Sequence, residues 1–99
     1  MWYIIYMKFE FDAEKSDANM RKHGINFAQA QALWDDDNRI ELPTNFVTEQ
    51  RYTVTGNIDA KLWTAAVTYR DENIRIISVR RARKKEIALY ERANRETMH

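Results

Sequence analysis

The chain has 99 residues, no cysteine and only two histidines, one of them C-terminal, while sixteen Lys and Arg nearly balance fifteen Asp and Glu. That rules out a disulfide framework and a thiolate metal site, leaves too few imidazoles for a zinc cluster, and predicts one domain over 1–99 with a core that folds without staples. Formal net charge is only +1, so any charged partner must be read from where the charges fall. No run reaches the ~18 apolar residues of a spanning helix. Residues 1–7 are apolar, but they lack a basic leader and a small-residue cleavage site. The expectation is therefore a cytoplasmic protein with no membrane partner.

Met7, Phe9 and Phe11 alternate with Lys8, Glu10 and Asp12, which predicts a strand over about 3–11. Asp12 is a natural N-cap with Glu14 in the first turn, so a helix should follow to Lys22 or His23 and stop at Gly24. Asn26 with Gln29 three residues on has the capping-box spacing, and Ile25 stands where it could staple the next helix. Phe27, Ala30, Leu33 and Trp34 then form one apolar face of a short helix that ends near the acidic turn at 35–37. Residues 39–42 read as a brief strand broken by Pro43. Alternation returns over 50–58, a turn lies at 57–61, and 62–69 reads as a buried strand. Asp71, Glu72 and Asn73 turn the chain into the last strand. Tight connections make these three strands an antiparallel meander.

Residues 75–85 are the most telling stretch. Six of the eleven are Arg or Lys and none is acidic, whereas residues 35–50 hold five acids and one base. The first half alternates as a strand, and from Ala82 the period becomes helical, with Glu86, Leu89, Tyr90 and Ala93 on one face to about Arg95. Arg80, Arg81 and Arg83 thus sit where a strand hands over to a helix, a rigid mount for guanidiniums that grip phosphate. A solvated basic helix start is the plainer alternative. The fold class expected is α+β, an antiparallel sheet packed by two N-terminal helices and a C-terminal helix.

Several blocks recur together: Met7-Lys-Phe-Glu-Phe-Asp12, Asn19 with Arg21-Lys-His-Gly24, Phe27 with Ala30, Glu49-Gln-Arg51 with Gly56, and Arg75-Ile-Ile-Ser78 with Arg80, Glu86 and Tyr90. In this order and spacing, from about Met7 to Glu91, they resemble the BrnT family of bacterial toxins. The resemblance implies a small metal-independent ribonuclease with a RelE-like fold and no cofactor. It also implies a BrnA-like antitoxin that binds and silences the toxin in a hetero-oligomeric complex. Two features depart from the family pattern. Residues 1–6 precede the usual start, so Met7 is an alternative initiator to Met1, and Arg83 stands where a small hydroxyl residue is expected.

Cleaving RNA without a metal takes a base for the 2′-OH proton, a cation for the crowded phosphate and an acid for the leaving 5′ oxygen. The catalytic candidates are His23, Glu49, Arg51, Arg80 and Arg83, and the candidate RNA contacts are Lys22, Arg75, Arg81 and Lys84. An imidazole suits either proton role near neutrality. Glu49 and Arg51, two apart at a strand start, point the same way, and an ion pair is their simpler use. Arg75 and Arg80 differ by an odd number, so a bulge or the strand end must intervene if both serve one site. Tyr90, Trp34 and Trp63 read as core, and Trp2 as either. The alternative to an enzyme is a non-catalytic module that uses the 75–85 patch to bind nucleic acid or an acidic protein.

Overall fold

Local capping decides where the helices lie. In the computed structural model, which describes residues 8–44 and 48–97, the Asp12 carboxylate accepts the backbone N–H groups of Glu14 and Lys15 and so opens α1 (Ala13–His23). Gly24 closes it at φ 79°, a left-handed conformation that suits glycine, with its N–H on the Met20 carbonyl. Asn26 and Gln29 make the expected capping box at the start of α2 (Phe27–Ala30). That helix is shorter than its apolar spacing suggested, for the chain tightens into a 3-10 turn over Gln31–Asp35 that still buries Leu33 and Trp34.

The remaining elements are β1 (Lys8–Glu10), β2 (Ile40–Thr44), β3 (Arg51–Ile58), β4 (Lys61–Arg70), β5 (Asn73–Arg81) and α3 (Lys84–Thr97). They form one five-stranded sheet in the order β1-β5-β4-β3-β2. The meander from β3 to β5 is antiparallel, as its short turns demanded, and β2 also pairs antiparallel with β3. The expectation of a wholly antiparallel sheet is corrected at one edge, where β1 runs parallel to β5 with Phe9 beside Ile74. The helices carry the chain from β1 across the sheet before β2 begins, and alternation within a strand says nothing about the direction of its neighbour. Of the strand expected over 3–11, residues 3–7 lie outside the described residues. Pro43 does not break β2 but pairs with Tyr52 inside it, because an edge strand leaves one side of its backbone unpaired.

One face of the sheet carries α1, α2 and the core. Phe27, Leu33, Val54, Val67, Ile76 and Val79 are fully buried there, and each such side chain contributes about 1.5–3 kcal/mol of transfer free energy. Phe9 meets Trp34 edge-on and Phe11 meets Phe27 in the same way. Asn19 ties α1 to the sheet. Its amide donates to the Val79 carbonyl at 2.9 Å and accepts the Val79 N–H at 3.2 Å, just past the point where β1 has turned away from β5. A side chain here does a neighbouring strand's work. No helix of the described residues is long and apolar enough to cross a membrane.

Candidate functional site

The register of β5 decides which way its arginines point. Ser78 opposes Ala66 and Ile76 opposes Val67, so Ile77 is an extra residue, a β-bulge. Arg75 therefore lies opposite Thr68 and Arg80 opposite Thr64, two positions on the same face of β4. Arg51 of β3 flanks Thr68 from the other side. The bulge required by the odd spacing is present. It gathers Arg51, Arg75 and Arg80 on the sheet face opposite α1 and α2, along a line of about 13 Å for the four strand steps from Thr68 to Thr64.

At one end of that line Arg80 is committed to a partner. Its guanidinium grips Glu86 with two nitrogens, at 2.7 and 2.9 Å. The same carboxylate accepts the Arg83 N–H at 2.7 Å and the Thr64 hydroxyl at 3.1 Å, and Thr64 shares a 2.8 Å hydrogen bond with Thr55. The bonds from Arg80 lead this stabilisation, the Arg83 N–H and the Thr64 hydroxyl add to it, and together they outweigh the cost of burial to hold Glu86 down at about 2. Glu86 also serves Arg83 as the third helical residue serves an N-cap, which fixes where α3 begins.

At the other end Glu49 lies between two cations, 3.5 Å from Arg51 and 3.6 Å from Arg70. Arg75 stands 3.8 Å from Glu10 of the neighbouring β1. These groups are partly exposed, so the pairs are weak and can be traded for an anionic ligand.

The remaining candidates lie elsewhere. Lys22 and His23 end α1, on the opposite side of the sheet from Arg51, Arg75 and Arg80. Gly24 directly follows them and lies beside Ile58, at the far end of β3 from Arg51, some 23 Å away at the rise of a strand. Arg81 alternates with Arg80, so it faces the α1 side, where its guanidinium lies over the Trp63 ring, 5.4 Å from the centroid. Arg83 and Lys84 are exposed at the start of α3, one strand end away from Arg80. The five catalytic candidates thus do not meet at one point. Glu49, Arg51 and Arg80 share a face with Arg75, Arg83 adjoins its end, and His23 is excluded from it.

Residue spacing missed the contacts that seat α3. Beside Glu86, the Tyr90 hydroxyl donates to the Asp36 carboxylate at 2.7 Å, and the same oxygen accepts the Asn57 N–H at 2.8 Å. Burial alone would raise the Asp36 carboxyl, but the bonds from Tyr90, Asn57 and Asn38 hold it below its ordinary value. The one available signal was Glu86 three residues after Arg83, half of a capping box.

Measured against known protein families, residues 11–86 match the family described as the ribonuclease toxin, BrnT, of type II toxin–antitoxin systems. Among curated proteins no significant match is found. The matched span holds α1, α2, strands β2 to β5 with all three face-sharing arginines, and the start of α3 as far as Glu86. The chain belongs to the BrnT family of type II toxin–antitoxin ribonuclease toxins.

Proposed function

We propose that the chain cleaves RNA without a metal ion, in the cytoplasm and on the RelE-like plan, and that a BrnA-like antitoxin silences it. The reading rests on one observation above the others: the bulge at Ile77 puts Arg75 and Arg80 on the same face as Arg51, with Glu49 beside them. On this reading the RNA backbone lies along that face. Glu49 takes the 2′-OH proton, the 2′ oxygen attacks phosphorus, and the bond to the 5′ oxygen breaks. Arg51 and Arg75 carry the charge that accumulates on the phosphate, the part a metal would otherwise play. The departing oxygen takes a proton from water, leaving a 2′,3′-cyclic phosphate and a 5′-hydroxyl. Arg80 holds the end of the groove through Glu86, and Arg83 and Lys84 attract the strand. An antitoxin that covers the face must offer carboxylates to these arginines, so it and RNA compete.

The test is incubation of the purified protein with RNA in EDTA, beside Glu49→Gln and Arg51→Ala. Wild type should cut, and both variants should lose most of the activity while remaining folded. One observation favours the other class, a module that binds without cutting: each of the three arginines already has a carboxylate partner. RNA that binds in a salt-dependent way and stays intact would establish that reading instead.

A further inference from the structure

On the α1 side of the sheet, away from the arginine-lined face, a cavity of about 270 Å³ opens between the β3–β4 hairpin and the loop joining α1 to α2. Ile58 and the half-buried indole of Trp63 form its sheet wall, and Asp59 and Lys61 come from the hairpin. Gly24 and Gln29 close the helical side. Gln29 commits its side-chain oxygen to the Asn26 N–H at 2.9 Å, so its amide nitrogen is the group left for a ligand. Arg81 stands over the Trp63 ring, and Lys22 and His23 end α1 just before Gly24.

The hairpin tip is built at a cost. Asp59 and Ala60 hold φ of 50° and 67°, the left-handed pair of a two-residue turn for which Asn-Gly is the relaxed choice. Strain of this kind gathers where side chains must be aimed. The cavity therefore combines an aromatic wall, one carboxylate, one amide donor and a cationic rim.

We propose that this cavity is a nucleobase subsite and that the base it accepts is a guanine of single-stranded RNA. The ring stacks on Trp63, a contact open to any base. Asp59 makes the selection. Guanine presents two adjacent N–H donors, N1 and N2, that match the two oxygens of a carboxylate, whereas adenine and cytosine present one amino group and uracil one imide N–H. Guanine O6 accepts from Gln29, and the attached phosphate faces Lys61 and Arg81. This inference rests on the ribonuclease reading for the identity of the polymer, but binding of a free nucleotide requires no cleavage.

The experiment is titration of the intact protein with 5′-GMP, 5′-AMP, 5′-CMP, 5′-UMP and inorganic phosphate. It is followed at the indole N–H resonances, with Trp63 assigned through Trp63→Phe. GMP should shift the Trp63 signal and bind about tenfold or more tightly than the other three nucleotides, the weight of one charge-assisted contact. Phosphate alone should leave that signal in place. Asp59→Asn, which fits the same turn, should abolish the preference and change the positions at which RNA is cut. Equal binding of all four nucleotides overturns the proposal, as does a response to phosphate alone or a guanine preference kept by Asp59→Asn. If the cavity instead receives a basic side chain of the antitoxin, GMP will not bind while Asp59→Asn weakens the complex, and the proposal is overturned. A protein that binds GMP as described but cuts no RNA would sink the ribonuclease reading and leave the subsite standing.

Discussion

Arg80 and Glu86 meet through two parallel hydrogen bonds, so the arginine best placed at the end of the arginine-lined face is also the clasp between β5 and α3. From the sequence, Arg80→Ala reads as the loss of a solvated cation at little cost. The pair changes that expectation. Truncation leaves the Glu86 carboxylate, whose side chain is 21% exposed, without its main partner, and should destabilise the fold by about 1–3 kcal/mol. Arg80→Lys should recover only part of this, because an ammonium cannot make the forked contact. Thermal unfolding of the two variants measures both effects. Equal melting temperatures for Arg80→Ala and wild type would mean that the clasp contributes nothing.

The same carboxylate gives the fold an acid dependence. Glu86 titrates at about 2 in the folded chain, below its ordinary value of 4.5, so its contribution is complete above pH 4.5. It is lost as pH falls from there through 2. Stability followed over that window should drop in wild type and drop less steeply in Glu86→Gln, which starts lower. Parallel curves would show that other carboxyls carry the acid response.

Arg83 occupies the N-cap of α3. Its carbonyl accepts the Ile87 N–H at 2.9 Å and its own N–H reaches Glu86, but an arginine side chain cannot supply the second half of a capping box. Arg83→Ser supplies it and should stabilise the protein by about 0.5–1 kcal/mol, a rise of roughly 2–8 °C in Tm. Cleavage measured on the same variant reports separately on the lost guanidinium. If RNA processing falls while Tm rises, the cation is used on substrate.

Asn19→Ala should be the most damaging of these changes. It leaves the Val79 N–H, the Val79 carbonyl and the Ile25 carbonyl without their side-chain partner in the interior. A cost of about 2–4 kcal/mol follows. Asn19→Asp should be nearly as harmful, since a carboxylate cannot donate to either carbonyl. Denaturant unfolding with an unchanged midpoint for Asn19→Ala would refute this.

What the sequence disclosed and what it withheld divide along one physical line. Asp12, Gly24 and the Asn26–Gln29 box were legible because a cap is settled within four residues. The turns of the meander were legible for the same reason. The direction of β1 was not, because it depends on a crossover rather than on any residue of β1 or β5. Pro43 misled because edge position is a property of the assembled sheet. Within the candidate site, the Glu49–Arg51 pair could be read from spacing, and the parity of Arg75 and Arg80 required an irregularity without saying where. The grip of Glu86 on Arg80 could not be read, since it depends on where α3 comes to rest against β4. The separation of His23 from the arginines was hidden in the same way, for it follows from which face α1 covers.

The bulge at Ile77 makes the composition of the arginine-lined face a matter of counting. A strand has two sides and no intermediate, so a β5 that kept every residue but paired with β4 without the bulge would set Arg75 and Arg80, five apart, on opposite faces. Arg75 would then swing to the core side while Arg80 stayed in place, and Ile74 and Ile76 would be turned out to solvent. No side chain of the face need be altered for its charge to be divided. Removing Ile77 does the reverse, for the interval becomes four, an even number that a regular strand satisfies, and the two arginines stay together. The face therefore depends on the irregularity only while the extra residue is present.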